Sequence, residues 1–230
     1  MAEILKVEGL SKQFTKKNLF GSKTSVVKAV ENVTFTLHDD EVLVIAGESG
    51  SGKSTIAKLI LRAIIPDSGK VIFDGEEVTD NDNSIKKIRM NCQMVHQDPY
   101  DSINPRMRVR DIVSEPLEIH NVGDTMEREK IVLDALQEVK LEPSDEIANK
   151  YPHMLSGGQR QRVVLARALV LRPKIIIADE PVSMLDVSIR AEILYLMKNI
   201  QKKNNISFIY ITHDLATARH FGQEIIILYL

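Results

Sequence analysis

Residues 42–65 read VLVIAGESGSGKSTIAKLILRAII. Val42 to Ala46 is an apolar run of strand length. Gly47-Glu48-Ser49-Gly50-Ser51-Gly52-Lys53-Ser54 then matches the pattern G-x-x-x-x-G-K-[ST]. Ile56, Leu59, Ile60, Ala63 and Ile64 follow at helical spacing. A strand, a glycine loop and a helix, in that order, form the context in which this pattern binds phosphate. Glycines let the backbone curl so that N–H groups converge on phosphate oxygens. The helix N-terminus adds the positive end of its dipole. Lys53 is expected to reach the β- and γ-phosphates of a nucleotide, and Ser54 to ligate Mg²⁺. The competing reading is a glycine-rich turn without a ligand; the flanking strand and helix weigh against it.

Composition narrows the classes around that loop. The 230 residues suffice for one large or two small units. Thirty Lys and Arg against 32 Asp and Glu leave a net charge of −2, which points to no nucleic-acid partner. Cys92 is the only cysteine, so no intramolecular disulfide forms, as suits a reducing cytoplasm. The start MAEILKVEGL lacks the basic and apolar regions of a signal peptide. No apolar run approaches the ~18 residues of a membrane span, so any membrane role runs through a partner.

Outward from the loop, Ile4 to Gly9 and Val33 to Leu37 read as strands. The polar, basic stretch between them reads as a loop plus a strand at Val26 to Val30. No helix separates these strands from the glycine loop, which predicts a small antiparallel sheet beside a parallel core. Downstream, 66–69 is a turn, Lys70 to Phe73 a strand, Asn81 to Asn83 a loop, and Cys92 to His96 a strand.

Residues 98–155 differ in texture. Three prolines punctuate their first part. Asp124 and Glu127 then have the spacing of a capping box, and Ile131, Val132, Ala135, Leu136 and Val139 supply a helical apolar face. This reads as a helical insert, the alternative being a long crossover with one helix. The core resumes with a helix over 159–171, a strand at Ile175 to Ala178, a helix over 189–201 and a strand over 206–212. The last apolar run, 225–230, carries the chain to its end, which predicts that further sequence follows.

Chemistry concentrates at three further places. Ile175 to Ala178 presents Asp179 and Glu180 at a strand's C-terminal edge, where parallel α/β sheets bind ligands. Asp179 would hold Mg²⁺, and Glu180 could polarise an attacking water. Leu155-Ser156-Gly157-Gly158-Gln159 places two glycines ahead of a helix, a second anion nest. A flexible linker is its alternative. Two nests exceed what one nucleotide needs, which hints that the second serves a nucleotide on another subunit. Gln97 and His213 each follow an apolar strand. They are either surface side chains or contacts to Mg²⁺, water or the γ-phosphate.

The set GESGSGKS, Gln97, LSGGQ, IIIADE, Ser183-Met184-Leu185-Asp186 and His213 resembles the nucleotide-binding subunit of an ABC transporter, in the family's order and over essentially the whole chain. QDPYDSINPRM, YPHMLSGGQRQR and DEPVSMLDVSIRA resemble its dipeptide, oligopeptide and nickel importer branch. The resemblance implies an α/β P-loop NTPase (RecA-like) fold with a mostly parallel core, an N-terminal antiparallel β subdomain and a helical insert. One ABC ATPase domain would span 1–230, with 1–97 and 156–230 as the core and 98–155 as the helical subdomain.

It also implies roles. Gly47, Glu48, Ser49, Gly50, Ser51, Gly52, Lys53, Ser54 and Thr55 bind the phosphates of ATP. Gln97 contacts Mg²⁺ and the attacking water and couples to the membrane subunit. Ser156, Gly157, Gly158 and Gln159 bind the γ-phosphate of ATP held by a second ABC ATPase subunit, like or unlike this one. Asp179 supports Mg²⁺, Glu180 is the general base, Asp186 crosses the dimer interface, and His213 contacts the γ-phosphate. An early aromatic stacks on adenine; Phe14 is the best match and Phe20 the alternative. Met184 stands where alanine is usual, and Met154 where glutamate is common.

The implied function is an ATPase on the cytoplasmic face of the membrane. It drives uptake through integral permease subunits fed by an extracellular solute-binding protein. Peptides are the first expectation for cargo, with nickel and oligosaccharides behind. A soluble ABC ATPase acting on DNA or the ribosome would show a coiled-coil insertion or tandem cassettes, and neither occurs. Glu180 and His213 argue against a regulatory module without turnover.

Overall fold

The computed structural model describes residues 2–17, 24–99 and 102–229. They divide into two compact units, one of residues 1–89 with 209–230 and one of residues 90–208.

In the first unit, β1 (Glu3–Lys17) pairs antiparallel with β2 (Thr24–His38). The strand of the glycine loop is β3 (Val42–Gly47), and α1 (Lys53–Ile60) follows the loop. β4 (Ser68–Phe73) pairs antiparallel with the other side of β1, and β5 (Glu76–Glu77) with β4. Alternation decides which face is buried. Leu5, Val7, Phe35, Leu37, Val71 and Phe73 are inside, each contributing roughly 1.5–3 kcal/mol by leaving water. Lys6 and Glu8 pair on the outer face at 2.7 Å, and Lys70 joins Glu8 at 3.0 Å.

The long β1–β2 ladder replaces the expected loop and short strand. Leu10 faces Val33, Lys12 faces Val30 and Phe14 faces Val27. Register shifts between Val7 and Leu10, Leu10 and Lys12, and Lys12 and Gln13 break the period of two that identifies a strand. The polar residues there do not end the ladder, because backbone groups alone make it.

Two helix ends also differ from expectation. α1 stops at Ile60, and Arg62 adopts a left-handed φ of 50°, so Ala63 and Ile64 lie beyond it. Residues 81–83, expected as loop, open α2 (Asp82–Asn91). Asn81 caps it: its Oδ1 accepts from the Ser84 N–H at 2.8 Å and its carbonyl from Ile85 at 3.0 Å.

The second unit begins with β6 (Cys92–Val95), which runs parallel to β7 (Ile175–Asp179) with Cys92 opposite Ile175 and Val95 opposite Ala178. Between them lie α3 (Val109–Ile119), α4 (Thr125–Glu138), α5 (Ser144–Ala148), a 3-10 turn (Pro152–Met154) and α6 (Gly157–Leu169). The Asp124–Glu127 capping box forms as read, with bonds of 2.9 and 3.0 Å. α3 and α4 pack on α6, burying Val109, Ile112, Val113, Leu117, Val132 and Leu136. α7 (Val187–Asn204) follows β7.

β8 (Ser207–Thr212) leads back into the first unit, where it lies beside β3. After α8 (Leu215–Phe221), β9 (Glu224–Leu228) runs parallel on the other side of β3, with Leu43 opposite Glu224 and Gly47 opposite Leu228. Parallel strand pairs, an antiparallel N-terminal sheet and the helical segment make up the expected α/β class.

Candidate functional site

The expected site residues fall into two groups, one in each unit. In the first, the turn between β3 and α1 needs its glycines. Gly50 and Gly52 have φ of 88° and 90°, and a Cβ on Gly52 would lie 1.9 Å from the Ala29 carbonyl oxygen. Gly52 is the N-cap of α1 and brings no side-chain cap, so the first-turn N–H groups meet no side-chain acceptor there. Lys53 is only 5% exposed. Its Nζ donates to the carbonyls of Gly47 and Glu48 at 2.8 and 2.7 Å.

Ser51 Oγ is buried without a hydrogen-bond partner. Among the described residues no carboxylate pairs with Lys53. A buried ammonium is costly unless an anion balances it. Together with the orphaned hydroxyl and uncapped helix end, it makes a cradle that fits a polyphosphate. Glu48, Ser49 and Ser54 are exposed and Thr55 is half-buried.

His213 follows β8 and is exposed. Next to it, Asp214 caps α8, accepting from Ala216 N–H at 2.9 Å. Phe14 is 40% exposed on β1. Lys12 Nζ lies 5.8 Å from its ring centroid and is held by Asp67 at 2.7 Å. Phe20, the other aromatic considered, lies outside the described residues.

In the second unit the parallel register of β6 and β7 carries Gln97 and Glu180 to the same strand edge. Gln97 Nε2 donates to Glu180 Oε2 at 3.2 Å across 83 residues of sequence. Asp179 is buried at the end of β7, and Glu180 turns the chain with a φ of 48°, a conformation rare outside glycine.

The second nest is a capped helix. Ser156 is the N-cap of α6: its Oγ accepts from Gln159 N–H at 3.2 Å, and its own N–H donates to Gln159 Oε1 at 3.0 Å. The sequence carries that S-x-x-Q signal as plainly as the one at Asp124. A Cβ on Gly158 would lie 2.7 Å from Ile189 Cγ2, so this glycine lets α6 and α7 approach closely. Asp186, exposed, is the N-cap residue of α7 but makes no side-chain cap bond.

Within the segment 98–155, Ile103 and Val109 are buried and add nothing to its surface. Ile103, Met107, Ile112, Glu115 and Arg167 instead line a cavity of about 580 Å³. Cys92, the first residue of β6, is buried, and burial pushes its thiol pKa up.

The family described as ABC transporter matches residues 30–183, a span that holds the phosphate loop, Gln97, the Ser156 helix start and the Asp179–Glu180 strand end. The chain belongs to the ABC transporter family. A probable peptide ABC transporter ATP-binding protein of Sinorhizobium fredii is 44% identical over 99% of this chain and 64% of its own length. The oligopeptide transport ATP-binding protein AppF of Bacillus subtilis is 44% identical over 99% of this chain and 69% of its own. The chain thus spans about two thirds of the length of these curated family members. Among solved structures of the family, the dimeric post-hydrolysis state of the ATP-binding cassette MJ0796 bound to ADP and Pi superposes with a TM-score of 0.82. Its identity is 32%, with coverage of 98% of this chain and 94% of that one.

Proposed function

We propose that this chain is the ATP-binding and ATP-hydrolysing subunit of an ABC importer that takes up peptides through partner permease subunits. The observation that carries it is a buried Lys53 with no carboxylate partner among the described residues, set in a glycine cradle, in a chain 40–44% identical over nearly its whole length to proteins named for peptide transport. No helix among the described residues is long and apolar enough to cross a membrane; we assign the coupling to transport to a permease at the inner membrane face.

In this reading Lys53 and the first-turn N–H groups of α1 neutralise the β- and γ-phosphates. Ser54, Gln97 and Asp179 offer the hard oxygen donors that suit Mg²⁺, which when bound offsets phosphate charge. Glu180 accepts the proton of the water that attacks the γ-phosphorus, and Gln97, already bonded to it, holds its carboxylate in place. His213 contacts the γ-phosphate, and Phe14 stacks on the base. Ser156 to Gln159 and Asp186 belong to the face that meets a second ATPase subunit. An extracellular solute-binding protein delivers the cargo.

Glu180→Gln protein should still bind Mg·ATP while its turnover falls by roughly 10²–10⁴-fold. Unchanged turnover would remove Glu180 as the base. Ser156→Arg protein mixed with Glu180→Gln protein should regain turnover at one composite site, since an intact Lys53 and Glu180 meet an intact nest. Failure to regain it, with turnover strictly proportional to subunit concentration, would place the whole site in one chain. Peptide uptake lost on deleting this chain and its permease together, and restored by both, tests the cargo.

A further inference from the structure

Two turns of the second unit are built alike. Before α6, Arg160 Nε donates to the carbonyl of Pro152 and Nη2 to that of Leu155, both at 2.8 Å. Before α7, Arg190 Nε donates to the carbonyl of Leu185 at 2.7 Å and Nη2 to that of Ser183 at 3.1 Å. Each guanidinium therefore grips carbonyls on both sides of a methionine, Met154 in one turn and Met184 in the other. In each turn the next residue, Leu155 or Leu185, is buried, while the methionine is turned outward, 58% and 62% exposed.

The turns are neighbours: Leu185 Cδ2 lies 3.5 Å from where a Cβ on Gly157 would stand. One ends in the N-cap Ser156 and the other in the N-cap Asp186. A forked guanidinium on two carbonyls fixes the backbone direction. An apolar side chain held in water gives the isolated unit no burial energy. Carried on neighbouring turns, two such side chains suit contact with a second surface, and the thioether is soft enough to fit one.

We propose that Met154 and Met184 are oxidation sites that control closure of the nucleotide-bound pair of subunits. This rests on the two-subunit reading above. As thioethers the two side chains are apolar contacts at the closing face. As sulfoxides they are polar and oppose closure. The oxidant class is a peroxide. A sulfur lone pair attacks one peroxide oxygen, the S–O bond forms and the O–O bond breaks. The departing hydroxide takes the remaining proton and leaves as water. Sulfur loses two electrons and the peroxide gains them. A dithiol-dependent sulfoxide reductase restores the thioether: the dithiol gives two electrons and two protons, becomes a disulfide, and the oxygen leaves as water. Met126, 81% exposed on α4, belongs to neither turn and serves as an internal control.

The test uses Glu180→Gln protein, alone and assembled with its permease, treated with dilute hydrogen peroxide and followed by peptide mass spectrometry and sedimentation. Mg·ATP should slow oxidation of Met154 and Met184 and leave Met126 unchanged. Oxidised protein should pair about tenfold more weakly, and sulfoxide reductase should restore pairing. A Met154→Leu, Met184→Leu protein keeps the apolar surface without the sulfur, so it should pair normally and resist peroxide. Oxidised protein that pairs as well as reduced protein, or a double leucine variant that loses pairing equally on treatment, would overturn the proposal while the two-subunit reading stands. Reduced protein that fails to pair with Mg·ATP in both settings would overturn both.

Discussion

The glycine-bearing starts of α1 and α6 are finished in opposite ways. α1 opens from Gly52, whose left-handed backbone supplies no side-chain acceptor, while Lys53 beside it is buried against carbonyls. α6 opens from Ser156, which closes a full capping box with Gln159. The first start is incomplete without an anion. The second satisfies itself, so it is stable on its own and has only part of its N-terminus left to offer. A helix N-terminus is thus a strong phosphate site where the fold declines to cap it. Where a cap is present, a ligand competes with it or uses the remaining N–H groups.

The contrast is broken most forcefully at Lys53. Lys53→Ala should weaken Mg·ATP binding by at least about a hundredfold, because a charge-assisted contact to phosphate is lost. Equilibrium dialysis with labelled nucleotide reads this directly. Binding at the wild-type level would mean that the buried ammonium only braces the loop.

The glycines should separate next. Gly52→Ala faces backbone at 1.9 Å and a φ of 90°, so it should cost at least about 3 kcal/mol in denaturant unfolding. Gly158→Ala meets the side chain Ile189 at 2.7 Å and should cost about 1–2 kcal/mol. Equal costs would show that both starts are limited by packing in the same way.

Ser156→Ala and Asp124→Ala each remove the N-cap of a capped helix and should each cost about 1 kcal/mol of stability. Only Ser156→Ala should also lower ATP turnover, since α4 presents no nest to a nucleotide. A drop of the same size in both would reduce the second nest to a structural cap. The smallest effect concerns Cys92. Burial pushes its thiol up, so it should react with a maleimide only after unfolding, with or without nucleotide. Labelling of the native protein would show that β6 opens.

Local chemistry made much of this molecule readable from sequence. The glycine loop between β3 and α1 declares itself because glycine, lysine and serine at fixed spacing mark a strand-turn-helix. The Asp124 box declares itself because an N-cap and its partner lie three residues apart. Buried strands such as Ile175–Asp179 are continuous apolar runs. The long β1–β2 ladder was hidden because repeated register shifts scramble its alternation, and α2 because its cap, Asn81, sits in a stretch that also reads as a turn.

Only tertiary structure decided the rest. Strand register alone brings Gln97 to Glu180 across 83 residues. Gly158 stands where it does partly because α7 leaves no room for a Cβ, a fact about the neighbour rather than the motif. That the turns carrying Met154 and Met184 are neighbours, with Leu185 close to Gly157, is likewise a matter of how distant segments pack. Sequence specifies interactions within a few residues, because the backbone fixes those distances. Contacts between distant segments depend on how whole elements pack, and no local pattern carries that.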